Sequence, residues 1–88
     1  MIVFQSKKIV NRLITSEQIR AARALIKWSA DDLADASGVG VATIRRFESA
    51  VGIPSGQIRI HDMIIKALEA AGVEFIGSPD DRPGVRLK

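Results

Sequence analysis

Cysteine is absent from the 88-residue sequence, and histidine occurs once, as His61. Disulfide bonds, thiolate metal sites and cysteine nucleophiles are therefore excluded, and one imidazole cannot form a zinc site by itself. We accordingly expect neither a metal nor another cofactor. No apolar run approaches the roughly 20 residues that cross a bilayer. The first residues, MIVFQSKKIVNR, place their charges after their apolar residues, which is the reverse of a secretory signal. These features predict a cytoplasmic protein.

A large excess of charge of either sign is also missing. The net charge is +3, and residues 1–14 account for it, because Lys7, Lys8 and Arg12 occur there without an acidic residue. With 47% hydrophobic and 26% charged residues, the chain is globular rather than disordered. Its length fits a single domain. Such a modest net charge indicates a nucleic-acid partner only weakly, so that inference depends on where individual basic residues lie.

Local signals predict three helix starts, at about residues 16, 30 and 41. The first two combine an N-cap hydroxyl, a capping-box partner three residues later and a pair of apolar residues that brackets the start. The third has the apolar pair with a weaker glycine cap. The residues are Thr15, Gln18, Ile14 and Ile19; Ser29, Asp32, Trp28 and Leu33; and Gly40, Val39 and Ile44. The intervals between these starts leave room for short helices.

A fourth helix is predicted from one apolar stripe with helical spacing that ends at Gly72. The stripe consists of Ile60, Met63, Ile64, Ala67, Leu68 and Ala71. His61 lies off this stripe, and with no second ligand candidate nearby it is interpreted as a surface histidine. Ile65 also lies off it and is interpreted as spare apolar surface.

Beyond Gly72 the apolar spacing changes to two. Val73 and Phe75 share one face, Val85 and Leu87 share another, and the turn-forming segment GSPDDRPG separates the two pairs. This pattern predicts a small β-hairpin. Residues 2–4, Ile-Val-Phe, either add a strand to the hairpin or form a loose tail.

The segment from Ala30 to Ser49 carries the functional signal. It pairs two short helices across a turn in which Gly38 can adopt a positive φ, and the small Ala34 allows close approach. Four residues are expected to face inward and join this pair to the rest of the bundle: Leu33, Val39, Ile44 and Phe47. The spacing is typical of a DNA-binding helix-turn-helix.

Over residues 15–76 the chain resembles the phage-repressor-like (XRE-type) helix-turn-helix transcription regulators. The motifs that carry the resemblance are IRAARALIKWSADDLADASGV, ATIRRFE, IPS and IKALEAAGVEF. The resemblance implies a mainly α, lambda-repressor-like bundle of four to five helices with a helix-turn-helix. The hairpin is added to that bundle. We therefore divide the chain into a basic arm or strand (1–14), a DNA-binding domain (15–72) and a hairpin extension (73–88).

The resemblance also implies the site residues. The recognition helix would be about Val41–Ala50, and its base-reading positions are Val41, Ala42 and Arg45. Thr43 and Arg46 would contact phosphates or neighbouring base edges, and the family often joins positions equivalent to Arg23 and Glu48 in a structural ion pair. Two departures weaken the pattern: Ala30 replaces a glutamine that touches the DNA backbone, and Gly40 replaces a hydroxyl cap.

Several of these residues have a simpler interpretation as well. Val41 and Ala42 are equally compatible with ordinary helix-forming roles. Lys7, Lys8 and Arg12 are either a solvated tail or a basic arm on phosphates. The acidic residues near the start of the second helix favour capping and dipole roles over catalysis, and no catalytic set is present. They are Asp31, Asp32 and Asp35.

The sequence thus predicts no enzyme, but sequence-specific binding of double-stranded DNA by a homodimeric regulator, acting as a repressor by occluding a promoter. We expect the dimer contact on the hairpin, the exposed side of the fourth helix or the N-terminal strand. The spare apolar residues that suggest this are Ile65, Phe75, Val85 and Ile2–Phe4. The alternative is an antitoxin-type interaction module that binds a toxin and regulates its own operon.

Overall fold

A computed structural model describes residues 12–88 of the chain. The order is α1 (Ser16–Ile26), α2 (Ala30–Ser37), α3 (Val41–Ser49) and α4 (Ile58–Ala70), followed by β1 (Val73–Ser78) and β2 (Asp81–Leu87). The mainly helical fold with a C-terminal hairpin is confirmed, in its four-helix form. The predictions for Ile2–Phe4, Lys7 and Lys8 lie outside the described residues, and the division into three segments stays a prediction.

All three predicted helix starts are confirmed, because each depends on groups within one turn of the chain. The Thr15 hydroxyl accepts from the Gln18 backbone N–H, and the Gln18 side chain accepts from the Thr15 N–H. Ser29 and Asp32 form the same reciprocal pair at α2. At α3 the N-cap is Gly40, which has no side chain to cap with.

One hydrophobic core joins the four helices and the hairpin. The inward-facing residues predicted around the helix-turn-helix are all buried, and Trp28 packs against the core as a partly buried residue. The buried apolar residues are Ile14, Ile19, Ala22, Leu33, Val39, Ile44, Phe47, Ile64, Ile65, Leu68 and Val73. None of the helices within residues 12–88 has the length and hydrophobicity of a membrane span.

Two predictions on α4 are wrong. His61 is buried rather than on the surface, and Ile65 belongs to the core rather than to a spare apolar face. The buried positions of α4 are 61, 64, 65 and 68, whereas Ile60 and Met63 are only partly buried. The buried face of α4 includes His61 and Ile65 because α4 packs against both α2 and β1, and because His61 binds the segment before α1.

The hairpin is confirmed, but its turn is shorter than the sequence predicted. Val73 pairs with Leu87 and Phe75 with Val85, and Pro79 and Asp80 separate the strands. Much of GSPDDRPG is therefore strand, with a register shift at Gly77, whose φ of 73° suits glycine. Phe75 and Val85 pack against the core as partly buried residues.

The hairpin is held on α1 and α4, whereas α3 packs against α1 and α2. The buried Gln18 side chain donates from Nε2 to the Gly84 carbonyl oxygen over 3.1 Å. Gln18 thus has two functions, because its Oε1 completes the α1 cap while its Nε2 fixes β2.

Candidate nucleic-acid interface

The α3 helix has one buried face and one open face. Ile44 and Phe47 are fully buried, whereas Ala42, Arg45 and Arg46 are exposed. Val41 and Thr43 are half-buried. The residues predicted to touch DNA therefore lie at the first two turns of α3, with both arginines on the open face. The core anchors the helix through its opposite side, so these side chains can meet a ligand without unfolding the bundle.

The turn between α2 and α3 sets the orientation of α3 relative to α2. Gly38 ends α2 with φ of 78°, and its N–H donates to the Ala34 carbonyl oxygen over 2.9 Å. The Val39 N–H then donates to the Ser37 hydroxyl over 3.1 Å. The left-handed conformation at Gly38 reverses the chain between the helices, as expected, and a side chain there would be strained.

Arg23 and Glu48 meet in a two-pronged ion pair that fixes the last turn of α3. Arg23 donates from Nε to Glu48 Oε2 over 2.6 Å and from Nη2 to Oε1 over 2.7 Å. Their side chains are 21% and 10% exposed. The hydrogen bonds to Glu48 raise the pKa of Arg23 against the opposing effect of burial. Arg23 Nη1 also donates to the Trp28 carbonyl oxygen.

A further α1 arginine, which sequence reasoning missed, supports the same turn. Arg20 donates from Nη1 to the Glu48 carbonyl oxygen. The sequence contains one signal that could have identified Arg20. It precedes Arg23 by three residues, so the two arginines lie on the same face of α1. Together the two arginines bind both the side chain and the backbone of Glu48.

The two arginines on the open face have different surroundings. The Arg45 side chain is 63% exposed, and its Nη2 lies 3.9 Å from Asp31 Oδ1. Arg46 donates from Nη1 to the Ser55 carbonyl oxygen over 3.2 Å, and its guanidinium carbon lies 5.3 Å from the Phe47 ring centroid. Arg46 is thus held beside the α3–α4 loop, whereas Arg45 extends from the helix.

Acidic side chains of α2 line a shallow groove beside the start of α3. The groove includes Asp31, Asp35 and Val41. Asp32 closes the α2 capping box, in agreement with the role expected from the sequence. The contact between Asp31 and Arg45 was missed, because it depends on the crossing angle of two helices and no spacing within either helix reveals it.

His61 packs against the buried face of α3. The Ile14 N–H donates to His61 Nδ1 over 3.3 Å, while His61 Nε2 donates to the Pro54 carbonyl oxygen over 3.1 Å. Its ring centroid lies 5.0 Å from that of Phe47. Burial lowers the pKa of His61, and the hydrogen bond to Pro54 partly opposes this shift.

Arg12, the third basic residue of the predicted arm, is bound to α4. It donates from Nη1 to Glu69 Oε2 over 2.7 Å and from Nη2 to Oε1 over 3.1 Å. The hydrogen bond to Glu69 is the main cause of its raised pKa. Asp62 lies 3.9 Å from the same guanidinium group. Arg12 therefore has carboxylate partners within the domain, unlike a free arm residue.

Comparison with known proteins agrees with this geometry. Residues 19–58, from within α1 to the start of α4, match the family model described as Helix-turn-helix. No curated protein matches the chain. Domains of this type bind DNA in transcription regulators and are not typically enzymatic. The match supports the resemblance found in the sequence: residues 19–58 form a helix-turn-helix domain similar to those of XRE-type DNA-binding transcription regulators.

Proposed function

We propose that the protein is a homodimeric transcriptional repressor that binds a specific sequence of double-stranded DNA by inserting α3 into the major groove. The observation that carries this proposal is that α3 has one buried face and one exposed face. Ile44 and Phe47 are fully buried, while Arg45 and Arg46 project on the open side. A helix held so firmly on one side presents basic side chains in a fixed orientation, as groove reading requires.

The residues of α3 have distinct roles in this proposal. Arg45 donates two hydrogen bonds to O6 and N7 of a guanine, and the short apolar side chains of Val41 and Ala42 contact thymine methyl groups. Thr43 and Arg46 bind phosphates or neighbouring base edges. Arg46 can retain the Ser55 carbonyl while it does so, because a guanidinium group has several N–H donors.

Phosphate contacts outside α3 are assigned to Lys7 and Lys8. These residues precede Arg12 in the sequence, and Arg12 itself forms an ion pair with Glu69 of α4. Lysines on phosphates add affinity without sequence preference, and their contribution falls as salt rises.

A homodimer accounts for sequence choice better than a monomer. One recognition helix reads a few base pairs, and two symmetric half-sites about 34 Å apart multiply the discrimination. We assign the dimer contact to the hairpin, where Ile76 and Leu87 are exposed apolar residues. Repression then follows from occupation of a promoter by the bound dimer.

The test is selection of bound duplexes from a random pool, followed by affinity measurements on the Arg45→Ala variant. We expect a palindromic preferred sequence. Loss of the guanine contact should cost about 1–3 kcal/mol on that sequence and relax the choice of one base pair. Arg82→Ala is the control, because it removes the same charge from the hairpin, where Arg82 is 91% exposed.

Wild-type affinity and unchanged base preference in the Arg45→Ala variant would contradict the assigned role. The antitoxin-type alternative would use the same exposed hairpin residues, Ile76 and Leu87, to bind a toxin instead of a second copy. Light scattering on the purified chain separates the two. A dimer supports the homodimeric repressor, whereas a monomer that forms a stoichiometric complex with a co-expressed neighbouring gene product supports the alternative.

A further inference from the structure

The carboxylate of Asp31 on α2 faces the guanidinium group of Arg45 on α3. The distance from Arg45 Nη2 to Asp31 Oδ1 is 3.9 Å, and the two side chains are 63% and 71% exposed. The other α2 carboxylates differ in position or task. Asp32 accepts from the Ser29 N–H in the capping box. Asp35 lines the same groove as Asp31, but the ion pair of Arg45 is with Asp31.

Stability does not explain this pair. Exposed ion pairs contribute little to folding, because water screens the charges and two long side chains lose freedom. The α2 cap does not depend on Asp31 either, since Asp32 closes it. The effect of Asp31 is therefore expected on what Arg45 does, rather than on whether the domain folds.

One carboxylate leaves Arg45 free to bind a base. A guanidinium group presents several N–H donors in a rigid plane, and a single carboxylate oxygen near Nη2 leaves the others available. The remaining donors can form the two-pronged contact with guanine O6 and N7. A phosphate offers the competing contact, and the negative charge of Asp31 disfavours a phosphate at that position.

We propose that Asp31 is a positioning residue for Arg45, which holds the guanidinium group for guanine and disfavours its use on phosphates. The inference rests on the proposed role of Arg45 in reading DNA. It assigns to Asp31 a contribution to sequence choice at the expense of total affinity. Without this carboxylate, Arg45 would bind phosphates of any sequence more readily.

The experiment compares Asp31→Asn with Asp35→Asn, because both remove one negative charge from the same groove. Affinities are measured for the preferred duplex, for the same duplex with the guanine of Arg45 replaced, and for a random duplex. In Asp31→Asn we expect affinity for the random duplex to rise and the penalty for the replaced guanine to shrink. We expect each of these two quantities to change about five-fold. This factor corresponds to the interaction between two unit charges in water at the distance between Asp31 and Arg45.

Asp35→Asn should raise affinity for all three duplexes by a common factor and leave the guanine penalty unchanged. In an Arg45→Ala background, Asp31→Asn should no longer alter the penalty, since the residue that it positions is gone. Thermal unfolding of each variant checks that the domain is intact.

An undiminished guanine penalty in Asp31→Asn would overturn the inference while leaving the proposed function in place. Equal reductions in Asp31→Asn and Asp35→Asn would also overturn it, because the groove charge as a whole would then be responsible. A wild-type protein that prefers no sequence would overturn the proposed function as well.

Discussion

At the scale of single residues, His61 joins three separate parts of the domain. It lies on α4, accepts a hydrogen bond from Ile14 before α1, donates one to Pro54 in the α3–α4 loop and contacts Phe47 of α3. A backbone N–H can only donate, so Nδ1 must be unprotonated. The neutral imidazole with its proton on Nε2 is thus the form that this site accommodates.

Protonation of His61 should therefore destabilise the fold. Burial lowers the pKa of His61 in the folded state, so the unfolded chain binds the proton more readily and the free energy of unfolding decreases with falling pH. This loss begins as the pH drops through the ordinary histidine value of about 6.5. It should be measurable by denaturation between neutral pH and pH about 5.5, above the range in which the carboxylates titrate.

NMR on the imidazole provides the decisive measurement, because the chain has one histidine. We expect an apparent pKa below about 6.5 and nitrogen shifts of the Nε2–H tautomer. A pKa at or above the ordinary value, or the opposite tautomer, would contradict this account. Glu17 and Glu74 also have lowered pKa values in the folded protein, but their effect on stability is lost at more acid pH.

His61 and Ile65 also show why sequence reasoning misjudged α4. A stripe drawn through apolar residues leaves histidine out, although a buried imidazole with both nitrogens hydrogen-bonded is compatible with a core. The stripe was consequently placed one position away from the buried set. The partners that settle the matter, Ile14 and Pro54, are 47 and 7 residues away from His61 in the chain, and no local pattern connects them.

At the scale of elements, the position of α3 depends on the end of the helix as much as on its core face. Arg23 and Arg20 of α1 bind Glu48 in the last turn of α3. The α3 helix is thereby fixed to α1 through charged hydrogen bonds and to α2 through the turn at Gly38. The structure brings Arg23 and Glu48 together through two hydrogen bonds between their side chains.

We predict that Glu48→Gln lowers the free energy of unfolding by about 1–3 kcal/mol, because Arg23 loses a charged acceptor in a poorly solvated site. Glu74→Gln is the matched control. It breaks the two-pronged pair between Glu74 and Arg86, which are 43% and 64% exposed. We therefore expect a smaller loss than in Glu48→Gln, because water screens exposed charges. Chemical denaturation of both variants makes the comparison, and equal losses would show that burial of the pair is irrelevant.

The elements differ in how far the sequence predicted them. Helix starts were predictable because Thr15, Ser29 and their partners lie within one turn. The hairpin turn was not, because the glycines and prolines of residues 77–84 are typical of a loop. Pairing of Ser78 with Asp81, together with the shift at Gly77, extends the strands through this segment. Such a register depends on the opposite strand and on Gln18 of α1, which local composition does not report.

At the scale of the whole molecule, the α3 helix and the hairpin share α1 as a packing partner, and each has a second main partner of its own. The α3 helix contacts α1 and α2, while the hairpin contacts α1 and α4. A dimer that associates through the hairpin would therefore leave the open face of α3 available in both subunits. The proposed homodimer and the proposed groove contact are compatible for this reason.

Two rigidly joined α3 helices should make binding depend on the spacing of the half-sites. We predict that inserting about five base pairs between the half-sites of the preferred sequence reduces affinity to that of one half-site, because one half-site then faces away from the dimer. An insertion of about ten base pairs restores the phase, but it also lengthens the separation by about 34 Å. A dimer with rigidly joined subunits holds its two α3 helices at one separation, so affinity should remain low for both insertions.

The matched variant is Leu87→Asp, which places a charge on the exposed hairpin residue assigned to the dimer contact. This variant should be monomeric by light scattering and should bind all three spacings equally, with the affinity of a single half-site. Equal affinity of the wild-type protein for the three spacings would mean that each subunit binds alone. A dimeric Leu87→Asp variant whose binding still depends on the spacing would instead place the contact outside the hairpin. This outcome separates the choice of interface from the existence of the dimer.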